Sequence, residues 1–214
     1  MLTIERTVPP SPLQWEIIIE GMRNPMNSWD KMDSGFPFEE GYEIGENDHR
    51  LMMQLAQGGA VHAKYRRMIP VFVTVNAPLY WWKEFDTYKV GTVANSCSTM
   101  HKIHEKEFTM GDFSTEHLDA VSMRILKTLI EYLNFRREKF EKNKLDRDEW
   151  WQLIQLLPSS YNQKRTVMLN YEVLANIYHS RKGHKLDEWR AFCEWIDGLP
   201  YSELITGGKD NETD

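Results

Sequence analysis

Residues 68–76, MIPVFVTVN, leave a chain of this kind the fewest choices. Ile69, Val71, Val73 and Val75 alternate with Pro70, Phe72 and Thr74, the period of a strand that buries one face. Pro70 cannot donate to a strand ladder, so it belongs at a strand start or on an edge. Pro78 then suits the first turn of a helix over residues 79–88, LYWWKEFDTY. The chain must therefore carry a sheet from which a helix departs.

Around that unit the other segments read mostly as helices. Residues 1–13 hold three prolines and read as an irregular arm, and residues 14–22, QWEIIIEGM, suit a short helix or a strand. Residues 24–48 lack a period and are rich in Asn, Gly, Pro and acids, which predicts a long loop. A helix is expected over 48–57, with Asp48 as its cap and Gly58-Gly59 as its stop. Residues 91–98, GTVANSCS, read as a loop, and 101–108 as a short charged segment. A long helix is expected over 114–142, striped by Leu118, Val121, Ile125, Leu129 and Leu133, and another over 148–157, stopped by Pro158. Residues 159–164 read as a polar linker, 186–197 as a last amphipathic helix and 207–214 as a disordered tail. A single domain over 1–206 is expected, α+β with helices in the majority.

The stretch 170–181, NYEVLANIYHSR, carries the chemistry of most interest. Val173, Leu174, Ile177 and Tyr178 recur at helical spacing, and Val167 extends the series backwards. Asn170 and Arg181 lie eleven positions apart, nearly one helix face, so the amide and guanidinium need a carboxylate or an anionic ligand as partner. A surface or ion-paired role for both is the plainer alternative.

Other constellations are thinner. Cys97, His101, His104 and Glu105 have metal-like spacing but lack paired cysteines or an HExxH pattern. Cys97 or Ser98 as a nucleophile would need an activating base, and no elbow motif surrounds them. Neither a Walker loop nor GxGxxG occurs. Lys182-Gly183-His184-Lys185 reads as a helix C-cap with cations that suit the dipole.

Composition narrows the class. The net charge of −6 argues against general nucleic-acid binding, although Lys64-Tyr65-Arg66-Arg67 is locally basic. Two cysteines make no disulfide framework, and no run reaches the length of a membrane helix, so a cytoplasmic protein off the membrane is expected. Eight tryptophans, among them Trp81, Trp82, Trp150 and Trp151, suggest large helix contacts, including contacts between subunits.

The order of these elements resembles the flavin-dependent thymidylate synthases. The carriers are VFVTVNAPLYWWKEFDTYKVGT, then ANSCSTMH, a long helix, LLP, and N-x5-N-x4-R, over roughly residues 60–197. The family carries an RHRxxS-type flavin motif, an NE-x-S-x-RY motif, an LP, a helix bearing Asn, Asn and Arg, and an HAQWE-like stretch. The resemblance implies a helix-rich domain with a small antiparallel sheet, a homotetramer, and FAD as cofactor. It also implies reductive methylation of a pyrimidine nucleotide monophosphate, with NADPH as electron source and a folate as carbon donor. Carried over by position, Lys89, Asn95, Asn170 and Asn176 would hold the flavin, and Ser98 and Arg181 the nucleotide.

This chain departs from the family where phosphate is gripped. RHR reads Thr87, Tyr88, Lys89, and the motif's serine reads Thr92. The Glu after Asn95 is Ser96, the Arg-Tyr pair is Met100-His101, and the arginine upstream of LP is Ile154. Of HAQWE, His184 and a displaced Glu188-Trp189 remain. Each lost guanidinium removes charge-assisted bonds worth about 1.5–3 kcal/mol. Two readings follow: a divergent synthase-like enzyme whose flavin binding is weakened, or a non-catalytic nucleotide-binding or interaction protein that has lost the flavin site.

Overall fold

A computed structural model describes residues 1–36 and 41–207. Strands β1 (Thr3–Val8), β2 (Pro70–Pro78), β3 (Val93–Ser96) and β4 (Asn162–Asn170) form an antiparallel sheet in the order β1-β2-β4-β3. The helices are α1 (Pro12–Arg23), α2 (Glu46–Gln57), α3 (Leu79–Phe85) and α4 (Ala120–Lys142). They continue with α5 (Arg147–Leu156), α6 (Tyr171–Arg181), α7 (Asp187–Asp197) and α8 (Glu203–Thr206). The fold is α+β and helix-rich, as the sequence indicates.

β2 behaves as its alternation requires. Val71, Val73, Val75 and Ala77 are buried, whereas Phe72 on the opposite face is 44% exposed. Pro70 opens the strand, where its missing N–H costs no ladder bond. Pro78 is the N-cap of α3, one position earlier than expected, and α3 stops at Phe85 instead of reaching residue 88. Thr87 Oγ1 donates to the Glu84 carbonyl at 2.7 Å and helps close that end.

The second half of the expected linker over 159–164 opens a strand instead. β4 pairs with both β2 and β3, and Val167 belongs to it, not to the following helix. The alternation of β4 is obscured because its buried positions include Gln163 beside Val167 and Leu169. Interstrand pairing decides here, not local propensity. Residues 93–96, expected within a loop, form β3, whose side chains are all exposed, so no apolar alternation marks it.

The amino-terminal segment is also more regular than the arm expected over 1–13 and the loop expected over 24–48, and the helix is the alternative realised over 14–22. Residues 3–8 pair as β1 at the sheet edge. Ser11 and Gln14 form a reciprocal capping box with Pro12 at the first helical position, which turns QWEIIIEGM into helix. Short 3-10 turns at Asn24–Met26 and Trp29–Lys31 and a Gly35–Glu43 bridge order much of the expected loop. Residues 37–40 of that loop and 208–214 of the expected tail lie outside the described residues. Asp48 is not the cap of α2. Gly45 is, and the capping carboxylate is Asp33, which accepts from Asn47 N at 2.8 Å and Asp48 N at 3.0 Å. A Cβ on Gly45 would lie 2.4 Å from Asp33 Cγ, so only glycine admits this long-range cap.

Contacts group the chain into two compact units. The first takes residues 1–5, 75–87 and 95–166, the second residues 6–74, 88–94 and 167 onward. In the first, Ile103, Phe108, Phe113, Leu126, Ile130, Leu133 and Leu153 form one apolar cluster. Asn134 seals the backbone there, accepting from Phe108 N and donating to Phe108 O, both at 2.8 Å. α4 begins at Ala120 behind its Asp119 cap, six residues later than expected, and of the expected stripe only Leu129 and Leu133 pack on the core. Leu118, Val121 and Ile125 are exposed, while Leu126, Ile130 and Leu133 face the core. Trp81 and Trp82 are also corrected as subunit-contact candidates. Both are fully buried inside this unit, packed on Phe85, and Trp82 Nε1 donates to the Gln163 carbonyl at 2.8 Å.

The second unit buries Trp15, Ile18, Ile19, Met52, Leu174, Ile177, Trp189, Phe192 and Ile196. Two ion pairs are set into it. Arg23 Nε donates to Asp48 Oδ1 at 2.5 Å, and Arg66 meets Glu172 at 2.6 Å while donating to the Leu204 carbonyl at 3.0 Å. Arg66 is thereby withdrawn from the expected basic cluster.

Candidate functional site

The second unit brings several of the expected site residues onto one element, α6. Asn170 ends β4 and caps α6, its Oδ1 accepting from Val173 N at 3.0 Å. It is therefore not a mid-helix residue, and its carbonyl oxygen is spent on the helix. Segment 88–94 runs against the same helix. Gly91 has φ +80°, and a Cβ there would lie 2.9 Å from Asn170 Nδ2 and 3.1 Å from Val173 Cγ2. Gly91 thus answers both a backbone and a space requirement. We expect Gly91→Ala to cost about 1–3 kcal/mol of stability through backbone strain, read as a lowered midpoint in denaturant.

At the other end of α6, Arg181 Nε donates to Tyr88 Oη at 3.0 Å, and its guanidinium carbon sits 4.7 Å from the Trp189 ring centroid. Tyr88 and Trp189 meet edge-on at 6.0 Å. A planar guanidinium laid on an aromatic face is a geometry suited to flat or phosphorylated ligands. Lys89, next to Tyr88, is exposed, as is Asn176 on α6. Asn176 and Arg181 therefore belong to α6, Asn170 to its cap and Lys89 to the segment on it.

Thr92 was not foreseen as a site residue of its own. Its hydroxyl is sealed from water and has no hydrogen-bond partner among the described residues. A buried hydroxyl left so calls for an acceptor. It lies on the segment that also carries Lys89 and Gly91.

Ser98 and Asn95 belong to the first unit. Asn95 is exposed on β3. Ser98 Oγ accepts from Met100 N at 3.2 Å and His101 N at 2.8 Å, closing the turn after that strand. Ser98 also lines a cleft of about 500 Å³ shared with Cys97, Lys106, Tyr161, Gln163 and Lys164. Gln163 fixes its floor, donating to the Cys97 carbonyl at 2.6 Å and accepting from Arg165 Nε at 2.9 Å. Lys164 is held above the usual lysine range by its hydrogen bond to Glu5. Burial raises the Tyr161 phenol, which keeps it protonated near neutral pH.

The remaining candidates disperse. His104 packs edge-on against Phe140, with Nε2 3.5 Å from Glu141, and no group among the described residues could hold a metal ion. Burial first, and Asp197 after it, push the Cys193 thiol up to about 11, away from nucleophilic use at neutral pH. Within the expected 182–185 cap, Lys182 is the C-cap of α6, in the right-handed helical conformation.

Neither a family model nor a curated protein matches this chain. Solved structures do. The chain is similar to flavin-dependent thymidylate synthase ThyX from Helicobacter pylori complexed with FAD and dUMP. The TM-score is 0.66 at 14% identity, over 96% of this chain and 97% of that one. A second structure of thymidylate synthase X from the same organism, with FAD and dUMP, gives 0.64 at 14% identity, covering 96% of each. At such identity the likeness is one of fold.

Proposed function

We propose that this chain binds a pyrimidine nucleoside monophosphate and is a divergent relative of the flavin-dependent thymidylate synthases. The likeness supports this because it runs over nearly the whole of both chains, and both neighbours are complexes with dUMP. The observation that carries it in this molecule is the Arg181 guanidinium, held by Tyr88 and Trp189 at the end of α6. It would bind the phosphate or the base edge. Reductive methylation would draw its carbon from a folate and its electrons from NADPH, and flavin, when bound, supplies the redox chemistry.

For the flavin itself the residues present fit only in part. The orphan Thr92 hydroxyl, exposed Lys89 and exposed Asn176 suit polar edges and a single phosphate. Arg66 is committed to Glu172, so the second phosphate of FAD finds less cationic support than the sequence promised. The second reading, a nucleotide-binding protein without flavin chemistry, takes its support from that commitment of Arg66. Separate titrations with FAD and dUMP distinguish the two. We expect dUMP to bind, and FAD to be taken up only at high micromolar levels. Stoichiometric yellow protein would put the synthase-like enzyme ahead. Failure of both ligands would sink the proposal.

A homotetramer is part of the same proposal. With Trp81 and Trp82 consumed internally, the apolar surface for it is Val121 and Ile125 on α4 and the half-exposed Trp151 on α5. Ile125→Glu should lower the mass seen by light scattering at micromolar concentration without lowering the melting temperature of the chain. A wild-type mass near 25.4 kDa would remove the oligomer.

Among the described residues no helix is long and apolar enough to cross a membrane. A cytoplasmic setting is proposed with the nucleotide chemistry.

A further inference from the structure

The second unit carries a trough between α1 and α2 that the nucleotide chemistry does not use. One half, about 410 Å³, is lined by Met22, Met26, Leu51, Leu55, Tyr65 and Met68, with Lys64 and His62 at its rim. The other half, about 370 Å³, shares Met26 and Leu51 with the first and is lined otherwise by polar and cationic groups, Lys31 and Arg50 among them. Each half has the size of an ordinary ligand site. Among the described residues neither is lined by a carboxylate, in a chain whose net charge is −6. Local sign and global sign are opposed here, so the trough selects an anion from a protein that repels anions overall.

Gly21 keeps the apolar half open. It lies inside α1, where glycine costs helix stability relative to alanine. A Cβ there would come within 3.2 Å of the Met68 methyl, so the glycine lets Met68 lie down against the helix. Methionine-rich walls adapt to flexible apolar chains. Met26 is 75% exposed at the junction of the two halves, and Val61, also on the apolar wall, is 72% exposed. Of the cations, Arg23 is committed to Asp48, and Arg50 Nη2 donates to Asn47 Oδ1 at 2.5 Å. Lys31 and Lys64 make no ion pair among the described residues.

From this juxtaposition we propose that the trough binds a free long-chain carboxylate, with its alkyl chain between α1 and α2 and its headgroup among Lys31, Arg50 and Lys64. The full chain would be titrated calorimetrically with octanoate, decanoate and dodecanoate, each below its micellar concentration. Every added methylene should tighten binding about three- to fourfold. Dodecyltrimethylammonium should bind at least tenfold more weakly than dodecanoate. Met26→Glu places a negative charge on an exposed junction and should weaken dodecanoate at least tenfold, whereas Met26→Lys should not. Melting curves confirm that both variants are folded. A flat chain-length series, equal binding of the cationic amphiphile, or equal effects of the Glu and Lys variants would overturn the proposal. So would binding to phosphatidylglycerol vesicles without uptake of free carboxylate, which would assign the trough to a membrane surface. Self-association abolished by Met26→Glu, in a chain that takes up no carboxylate, would assign it to a second copy and overturn it likewise.

Discussion

Asp48→Ala is expected to cost about 3–5 kcal/mol of stability, because it strips the partner from a buried guanidinium. Asp48 is fully buried and Arg23 nearly so. Its Oδ1 takes Arg23 Nε at 2.5 Å, and its Oδ2 takes Asp33 N at 3.0 Å, Ser34 N at 2.8 Å and Ser34 Oγ at 2.6 Å. Arg23 in turn donates to Ser28 O and Oγ at 3.3 Å. One carboxylate therefore ties α1, α2 and the irregular chain between them. Its removal leaves Arg23 charged and desolvated, and two backbone amides without acceptors. The measurement is the denaturant midpoint, with the double variant Arg23→Met, Asp48→Leu beside it. The double variant should recover much of the loss, since removing both charges costs far less than stranding one. A single variant within about 1 kcal/mol of wild type would show that water reaches the pair.

Asp48 is also where sequence reading and structure part most usefully. An Asp before an apolar stripe is a good N-cap, and that local reasoning placed it at a helix start. Its real partner is Arg23, twenty-five residues away, and nothing local in the sequence encodes that pairing. The strand over 68–76 was legible because its alternation reports a sheet with one buried face. β4 was not, because it is an interior strand with Gln163 buried and Lys164 and Arg165 beside it. Half of its pattern is set by neighbours the sequence cannot display. The helices α5, α6 and α7 were read to within one residue at each end, since periodicity and Pro158 mark them locally. For the site, the spacing of Asn170 and Arg181 was right in number and misleading in geometry. Asn170 belongs to the end of a strand and spends its carbonyl as a cap. The orphan hydroxyl of Thr92 could have been foreseen only as the counterpart of a motif serine.

Arg181→Ala is the change expected to matter most for binding. If the α6 surface takes a pyrimidine nucleoside monophosphate, losing one charge-assisted contact costs about 1.5–3 kcal/mol, roughly ten- to a hundredfold in affinity. Arg181 is half-buried, and its guanidinium lies over Trp189. Part of the loss will therefore come from packing, and the alanine variant alone cannot separate the two contributions. Arg181→Lys keeps the charge but not the fork or the stacking, so it should recover little affinity. Tyr88→Phe provides the contrast. It removes the oxygen that accepts from Arg181 Nε while leaving the ring against Trp189. If Tyr88 only steadies the guanidinium, dUMP affinity should fall several-fold in Tyr88→Phe and at least tenfold in Arg181→Ala, with both melting temperatures near that of the wild type. Unchanged dUMP affinity in Arg181→Ala, in a chain that binds dUMP, would move the nucleotide away from α6. The cleft around Ser98 would then be the place to look, and Lys106→Ala the next substitution to titrate.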